Sequence, residues 1–192
     1  SGEYSGPLRF RRNDWFGSWG GELNVQLAVY RNQPSESAEV YSLPERNESP
    51  PVYHISNRWA VVIGVSEYDD EEIDYLPYAR KDAEDFYRQL RQLGWAEENI
   101  KLLLDDEATY YGVRDALEGW LRKAGENDLI VLFWAGHGFS EPGKTDQVYF
   151  ALNDTEIGKP HTGYRADRLH EVLKERGARN VVVFADACHA GR

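Results

Sequence analysis

From residue 58 onward the chain contains three short, almost uninterrupted runs of apolar residues, at positions 59–65, 129–134 and 181–185. Runs of this kind are typical of strands that are buried on both faces of a sheet. A shorter run at residues 100–104 predicts a further strand, and residues 147–152 predict an edge strand. Helical segments separate the buried strands, which implies an α/β fold: a mostly parallel sheet with helices on its faces.

The segments between the runs have the periodicity of helices. In the first segment apolar residues recur at steps of four and three, which predicts an amphipathic helix that ends at Gly94. Thr109 is placed to cap a second helix. A third helix, with apolar residues around Leu169 and Leu173, is closed by Gly177.

Residues 1–57 have a different character. An alternating pattern over positions 23–29 predicts a strand, and residues 32–51 contain four prolines, which is typical of a loop or linker. We therefore expect two parts: a small β-rich N-terminal appendage with its linker at residues 1–57, and a main domain at residues 58–192.

The charge balance excludes some classes of partner. The chain has 22 Lys and Arg residues against 33 Asp and Glu residues, a net charge of −11. Nucleic acids and anionic membranes need a basic surface, so we expect neither as a partner. An acidic surface attracts a basic peptide, although the same charge also simply keeps a protein in solution.

Cys188 is the only cysteine in the sequence, so no disulfide can form within the chain. A single cysteine fits a reducing compartment. There is no apolar run long enough to span a bilayer and no visible secretory signal, so we expect a cytoplasmic protein. A lone cysteine with a distant histidine is also a candidate nucleophile.

Two predicted strands run into reactive side chains. The third is followed by Ala-Gly-His-Gly, which contains His137, and the last by Asp-Ala-Cys-His-Ala-Gly, which contains Cys188. If these strands are neighbours, both residues lie at the carboxyl edge of the sheet, where open parallel sheets bind ligands. An imidazole can activate a thiol and protonate a leaving amine. The backbone N–H groups of Gly138 and Cys188 are candidates for an oxyanion hole.

These motifs together resemble the caspase and metacaspase family of cysteine peptidases, in which a histidine lies about 50 residues before the cysteine motif. The resemblance covers about residues 58–192 and includes VIGVSEY at 62–68 and LPYARKDA at 76–83. The motif DACHAG is more similar to metacaspases and bacterial caspase homologues (orthocaspases) than to animal caspases. The resemblance implies a caspase-like three-layer sandwich and an endopeptidase with a Cys188–His137 dyad.

The resemblance also implies a substrate class. In metacaspase-like enzymes, an acid two residues before the nucleophile and a second acid after the first strand bind a basic substrate residue; Asp186 and Asp82 match these positions. Two carboxylates in a partly desolvated pocket favour Arg or Lys, so cleavage after Arg or Lys is implied. Each acid also has an ordinary explanation: Asp82 can stabilise the start of its helix, and Asp186 can bond to nearby backbone.

Family members continue beyond the cysteine motif into a small subunit that completes the sheet and part of the substrate cleft, whereas this chain ends at Arg192. We therefore expect a piece of a longer precursor, with the C-terminal small subunit of the same precursor as its partner. Arg192 is the expected processing site, cut by the enzyme itself or by another protease. The sequence has no methionine, even at position 1, which fits a processed chain.

No cofactor is expected. The acidic segments at residues 69–72 and 105–107 can bind calcium, which some metacaspases require, or can simply be solvated loop charge. Two other functions stay open. One is a caspase-like fold that has lost its chemistry and acts as a scaffold or signalling module. The other is a metal site of His137, Cys188 and His189, whose spacing does not match structural zinc sites.

Overall fold

A computed structural model of the protein describes residues 25–30, 54–141, 144–178 and 180–189, and gives only the backbone path for residues 25–30, 141, 144–146, 188 and 189. Most of the predicted N-terminal appendage at residues 1–57 lies outside the described residues, and so does the predicted processing site at Arg192. No helix in the described part of the chain is long and apolar enough to cross a membrane.

The described strands form one seven-stranded sheet. They are β1 (Val25–Tyr30), β2 (Arg58–Gly64), β3 (Ile100–Leu104), β4 (Leu129–Glu141), β5 (Lys144–Phe150), β6 (Tyr164–Arg165) and β7 (Asn180–His189). The order across the sheet is β1-β7-β4-β2-β3, with β5 paired to β4 and β6 paired to β5. Strands β7, β4, β2 and β3 are parallel, as the apolar runs predicted, and β1 pairs with β7 in the antiparallel direction.

Three α-helices connect the described strands: α1 (Ala79–Gln92), α2 (Tyr110–Arg114) and α3 (Ala166–Glu175). Helix α2 continues through a π-helical turn (Asp115–Gly119) and a 3₁₀ turn (Trp120–Lys123).

The predicted helix ends are confirmed. Gly94 and Gly177 follow α1 and α3 with φ angles of 78° and 68°, a backbone conformation that favours glycine. The Thr109 hydroxyl accepts a hydrogen bond from the N–H of Gly112 (3.2 Å), so it caps α2 as expected.

The helices lie on the two faces of the sheet. Helix α1 covers one face, where Phe86 stacks on Phe133 and contacts Phe184, with ring centroids 4.5 and 5.4 Å apart. On the other face the α2 segment and α3 bury residues such as Leu117 and Leu169 against the strands. This mixed α/β arrangement is compatible with the predicted caspase-like sandwich.

Two strands are longer than the sequence predicted. The apolar runs end at Trp134 and Ala185, but β4 and β7 continue through the histidine and cysteine motifs. Over this extension β4 stays paired with β7, and its last residues pair with β5. Alanine and glycine indicate the end of a strand in a sequence, yet neighbouring strands can hold them in a ladder. His137 and Cys188 therefore lie on paired strand backbone.

Candidate active site

Strands β4 and β7 bring the two predicted catalytic residues side by side. In their parallel register, the Cα atom of His137 is paired with that of Cys188. Paired strands lie roughly 4.8 Å apart. The fold therefore joins two motifs that are far apart in sequence, and joins them at the carboxyl edge of the sheet.

The predicted oxyanion donors lie at the same edge. Gly138 follows His137 on β4, and its Cα atom is paired with that of His189, the residue after Cys188 on β7. The two backbone N–H groups therefore belong to adjacent strands, one register position apart. Their role in stabilising an oxyanion stays a prediction.

Tyr68 holds the backbone of His137. Its hydroxyl accepts a hydrogen bond from the N–H of His137 (3.0 Å) and donates one to the carbonyl of Val65 (3.2 Å). Burial raises the pKa of Tyr68, so the hydroxyl keeps the proton that it donates. Sequence reasoning gave Tyr68 no role, although it belongs to segment 62–68, which carries part of the resemblance.

The imidazole of His137 has one nitrogen bound and the other buried without a partner. Nε2 lies 2.8 Å from the carbonyl oxygen of Asp74. Because a carbonyl can only accept, this contact assigns the proton to Nε2 and leaves Nδ1 as the basic nitrogen. Nδ1 is buried and has no hydrogen-bond partner among the residues whose side chains are described. Buried polar atoms without partners are rare and costly, so a further group is expected at Nδ1.

Asp186 belongs to the same face of the sheet as His137 and Cys188. Phe133 on β4 and Phe184 on β7 pack on the α1 side of the sheet. Because successive residues of a strand alternate between faces, every second position after them belongs to the same face. Steps of two from Phe184 lead to Asp186 and Cys188 on β7. Steps of two from Phe133 lead to His137 on β4. The register of β4 and β7 is continuous up to these positions.

Helix α1 brings Asp82 towards the same edge. The helix connects two parallel neighbours, β2 and β3, so it runs back across the sheet and begins at the carboxyl edge. Asp82 lies one turn before Phe86 and on the same side of the helix, and Phe86 contacts Phe184. Asp186 is the second residue after Phe184. The fold thus places Asp82 and Asp186 at the same end of the α1 face.

The charge of Asp82 is poorly compensated. Its carboxylate accepts no hydrogen bond from the side chains and backbone that the structure describes. Burial raises the pKa of Asp82; neighbouring Lys81 opposes this effect and Asp85 adds to it. Lys81 is itself paired with Asp85. A partly buried acid of this kind is suited to a cation from outside the chain.

Asp105 corrects an expectation of the sequence analysis. It was expected in a solvated or calcium-binding acidic segment, but it is buried, with 4% of its surface exposed. Its carboxylate accepts hydrogen bonds from the backbone N–H groups of Ser66 (2.8 Å) and Glu67 (3.1 Å) and pairs with Arg80 (2.7 Å). Asp105 therefore ties the loop after β2 to the start of α1.

The other acidic segment, residues 69–72, also bonds to backbone. The Asp70 carboxylate accepts hydrogen bonds from the N–H groups of Ile157 (2.8 Å) and Glu72 (3.0 Å), and these bonds lower its pKa. Within the described ranges, no group of three or more His, Cys, Asp or Glu residues could hold a metal ion. Calcium dependence stays a prediction from the resemblance.

Fold and site together define the class of protein. Residues 57–192 match the family model described as the caspase domain (Peptidase_C14). Because this match covers most of the chain, the chain belongs to the caspase-domain family. The resemblance to the caspase and metacaspase family is confirmed at the level of the family, and the closer likeness to metacaspases and bacterial homologues stays a prediction.

A solved structure also resembles the chain. It is the crystal structure of protein GSU0716 from Geobacter sulfurreducens, with 24% sequence identity and a TM-score of 0.56. The similarity covers 71% of this chain and 52% of that chain, so the chain spans about half the length of that protein. This likeness concerns the fold alone. No curated protein matches the chain.

Proposed function

We propose that this protein is a cysteine endopeptidase that cleaves peptide bonds after Arg or Lys, with Cys188 as the nucleophile and His137 as its acid–base partner. One observation carries the proposal: Nδ1 of His137 is buried without a described partner, at the residue that is paired in register with Cys188. A thiol at that register position would supply the missing partner.

The arrangement supports a two-step acyl transfer. Nδ1 of His137 takes the proton of the Cys188 thiol, and the thiolate attacks the carbonyl carbon of the substrate. The N–H groups of Gly138 and Cys188 stabilise the resulting oxyanion. His137 then gives its proton to the leaving amine, which leaves an acyl-enzyme that water hydrolyses. The Asp74 carbonyl holds the ring, and Tyr68 holds the backbone beneath it.

The substrate preference follows from the two acids on the α1 face. Asp82 and Asp186 bind the guanidinium or ammonium group of the residue before the cleaved bond through charge-assisted hydrogen bonds. The partly buried carboxylate of Asp82, which accepts no hydrogen bond from the described residues, supports this role. The net charge of −11 favours encounter with basic substrates.

We also propose that the protein matures by proteolytic processing of a longer precursor. By resemblance to the family, a C-terminal small subunit from the same precursor completes the cleft. Arg192 is a residue of the type that the site is proposed to cleave after, so we propose processing at this position. Mass spectrometry of the full-length protein tests this point: the wild type is expected to be cut after Arg192 and the Cys188→Ala variant to stay intact. Equal cutting of both proteins would remove self-processing from the proposal.

The activity is tested with a fluorogenic peptide amide that ends in Arg, applied to the full-length protein. Cys188→Ala is expected to lower kcat/KM by at least about 1,000-fold, because the nucleophile is lost. Asp186→Ala is expected to weaken cleavage after Arg about 10-fold or more relative to an uncharged residue. A wild type that neither cleaves nor is labelled by an electrophilic Arg peptide would favour a scaffold. An unchanged preference in Asp186→Ala would exclude this acid from the pocket.

A further inference from the structure

A cavity of about 630 Å³ opens beside His137. Its base is the end of β4, from His137 to Ser140, together with Ala151, which follows β5. One wall is the loop after β2, at residues 72–74, and the other is the loop between β5 and β6. Cavities of this size hold small ligands or a few side chains of a peptide.

The cavity lies across His137 from β7. Gly138 is paired on one edge with His189 of β7 and on the other edge with Phe150 of β5. The cavity is built on the β5 side of β4. Neither Asp82 nor Asp186 is among its described lining residues. Asp186 on β7 and the cavity therefore lie on opposite sides of β4, and Asp82 lies outside the described lining.

This placement fixes which part of a substrate can enter. On the proposed function, the side chain before the cleaved bond points to Asp82 and Asp186. His137 hands its proton to the amine on the other side of that bond. The chain that follows the amine must therefore leave past His137, in the direction of the cavity.

We infer that the cavity binds the leaving-group side of the substrate, and that it takes an apolar side chain from the first or second residue after the cleaved bond. This inference rests on the proposed function and adds a second recognition site to it. The preferred substrate thus has a basic residue before the cleaved bond and an apolar residue just after it.

The lining explains the apolar preference. Five of the residues that line the cavity have apolar side chains: Ile73, Phe139, Ala151, Ile157 and Pro160. Ile157 is 56% exposed, so it gains from a partner that covers it. A substrate side chain that fills the cavity removes this apolar surface from water.

The rim is acidic. Glu72, Asp74 and Glu156 line the cavity, and Glu156 is paired with Lys159. Glu72 and Asp74 form no ion pair within the described residues, so the uncompensated charge belongs to them. An acidic side chain of a substrate would be repelled here, and a neutral apolar one would not.

The cavity is preformed. The Asp70 carboxylate accepts hydrogen bonds from Glu72 in one wall and Ile157 in the other, so it fixes the distance between them. Phe139 fits against Gly163, where an added Cβ would lie only 2.8 Å from its ring. A site that is ordered before binding does not lose affinity to ordering its own walls.

The test uses two kinds of substrate with the full-length protein. A coumarin amide that ends in Arg has no residue after the cleaved bond and reports the proposed function alone. Internally quenched peptides with Arg before the bond carry Leu, Gly or Asp at the first or second position after it. We expect kcat/KM for Leu to exceed that for Gly about 10-fold at one of these positions, with Asp below Gly. Equal rates at both positions would overturn the inference.

Ile157→Asp removes apolar lining and adds charge, so the ratio of Leu to Gly is expected to fall to about 1; Ile157→Ala gives an intermediate ratio. The matched control is Ile55→Asp, since Ile55 is 41% exposed and precedes β2 at the other end of the sheet. The control is expected to keep the wild-type ratio. A ratio that survives in both Ile157 variants contradicts the inference.

The two proposals fail in different ways. If the wild type does not cleave the coumarin amide, the proposed function fails and the inference fails with it. If the amide is cleaved and the peptides show no preference after the bond, the inference alone fails.

Discussion

The two ends of the central sheet differ in how completely their buried polar groups are satisfied. At the amino end, Asp128 precedes β4 and is 4% exposed. Its carboxylate accepts hydrogen bonds from the backbone of Asn57 (2.9 Å) and Gly125 (2.8 Å) and from Nε1 of Trp59 (2.9 Å). The buried charge is fully engaged inside the protein, so it holds the start of β2 to the start of β4.

At the carboxyl end, Asp105 is engaged in the same way, but other buried polar groups lack partners. Two buried side-chain atoms in the described part of the chain have no hydrogen-bond partner, Nε1 of Trp134 and Nδ1 of His137, and both belong to β4 near this end. Asp82 adds a partly buried carboxylate that accepts no hydrogen bond from the described residues. Satisfied polar groups stabilise a fold, whereas unsatisfied ones have a cost that binding can offset. The amino end is therefore built for stability, whereas the carboxyl end keeps Nδ1 of His137 for the Cys188 thiol of the proposed dyad and Asp82 for a substrate cation.

The largest expected effect is that of His137→Ala on activity. Loss of the acid–base group is expected to lower kcat/KM for the Arg reporter by about 1,000-fold or more. The free energy of unfolding should change by less than about 1 kcal/mol, because loss of the hydrogen bond to the exposed Asp74 is offset by removal of a buried polar nitrogen. Reporter kinetics and urea unfolding measure the two quantities. A large loss of stability with retained activity would mean that His137 serves the fold and not the chemistry, which contradicts the comparison.

Asp128→Ala is the counterpart at the amino end. It leaves four hydrogen-bond donors without their acceptor, the side-chain amide of Asn57 among them, so we expect a loss of about 3 kcal/mol of unfolding free energy. Activity per folded molecule should not change. Urea unfolding with parallel active-site titration checks both points. A drop in turnover of the folded fraction would mean that the two ends are not separate in function.

The stability provided by Asp128 should depend on pH. Burial raises the pKa of Asp128, but the hydrogen bonds from Gly125, Trp59 and Asn57 together outweigh burial and lower it. A carboxyl with a lowered pKa in the folded state stabilises fully above its unfolded pKa, near 3.9, and loses this contribution as the pH falls through the folded pKa. The stability difference between wild type and Asp128→Ala should therefore shrink below about pH 4. A difference that stays constant down to pH 2 would contradict this account.

Tyr68→Phe tests whether Tyr68 positions His137 at the carboxyl end. It deprives the N–H of His137 of its acceptor and loosens the position of the imidazole. We expect kcat to fall about 10-fold with little change in KM, since substrate contacts are kept. Tyr111→Phe is the matched control, because Tyr111 is 76% exposed and lies on α2. Equal effects on kcat and KM would indicate general disturbance of the fold instead.

The smallest expected effect is that of Asp82→Asn on stability. Burial raises the pKa of Asp82 above its unfolded value, so the wild type loses stability as the pH rises through the folded pKa. The neutral variant avoids this loss. At pH 7 it should be more stable by about 0.3 kcal/mol, a small value because solvent screens this partly exposed group. Thermal unfolding at pH 3 and pH 7 measures the effect; a less stable variant at pH 7 would make Asp82 a structural acid.

The sequence predicted those parts of the fold that depend on local patterns. The apolar runs gave the parallel strands, and Gly94, Gly177 and Thr109 gave helix ends, because each follows from the chemistry of a single residue or period. The motifs around His137 and Cys188 were expected just after two strands; the structure has them within β4 and β7, in register with each other.

Other parts of the site have no signal in the sequence. Asp74 acts through its backbone carbonyl, which every residue has, so its side chain indicates nothing. Asp105 lies in a run of acids that suggests solvated charge, and only the tertiary fold brings Ser66 and Arg80 to it. The extension of β4 past Trp134 depends on pairing with distant strands.

The central claim is that the fold places the thiol of Cys188 against the imidazole of His137. The most direct measurement is the rate at which an electrophilic peptide that ends in Arg labels the full-length protein, with the modified residue located by mass spectrometry. The account predicts one adduct, on Cys188, and a labelling rate at least about 100-fold lower in His137→Ala. Equal rates in the two proteins, or no adduct on Cys188, would contradict it.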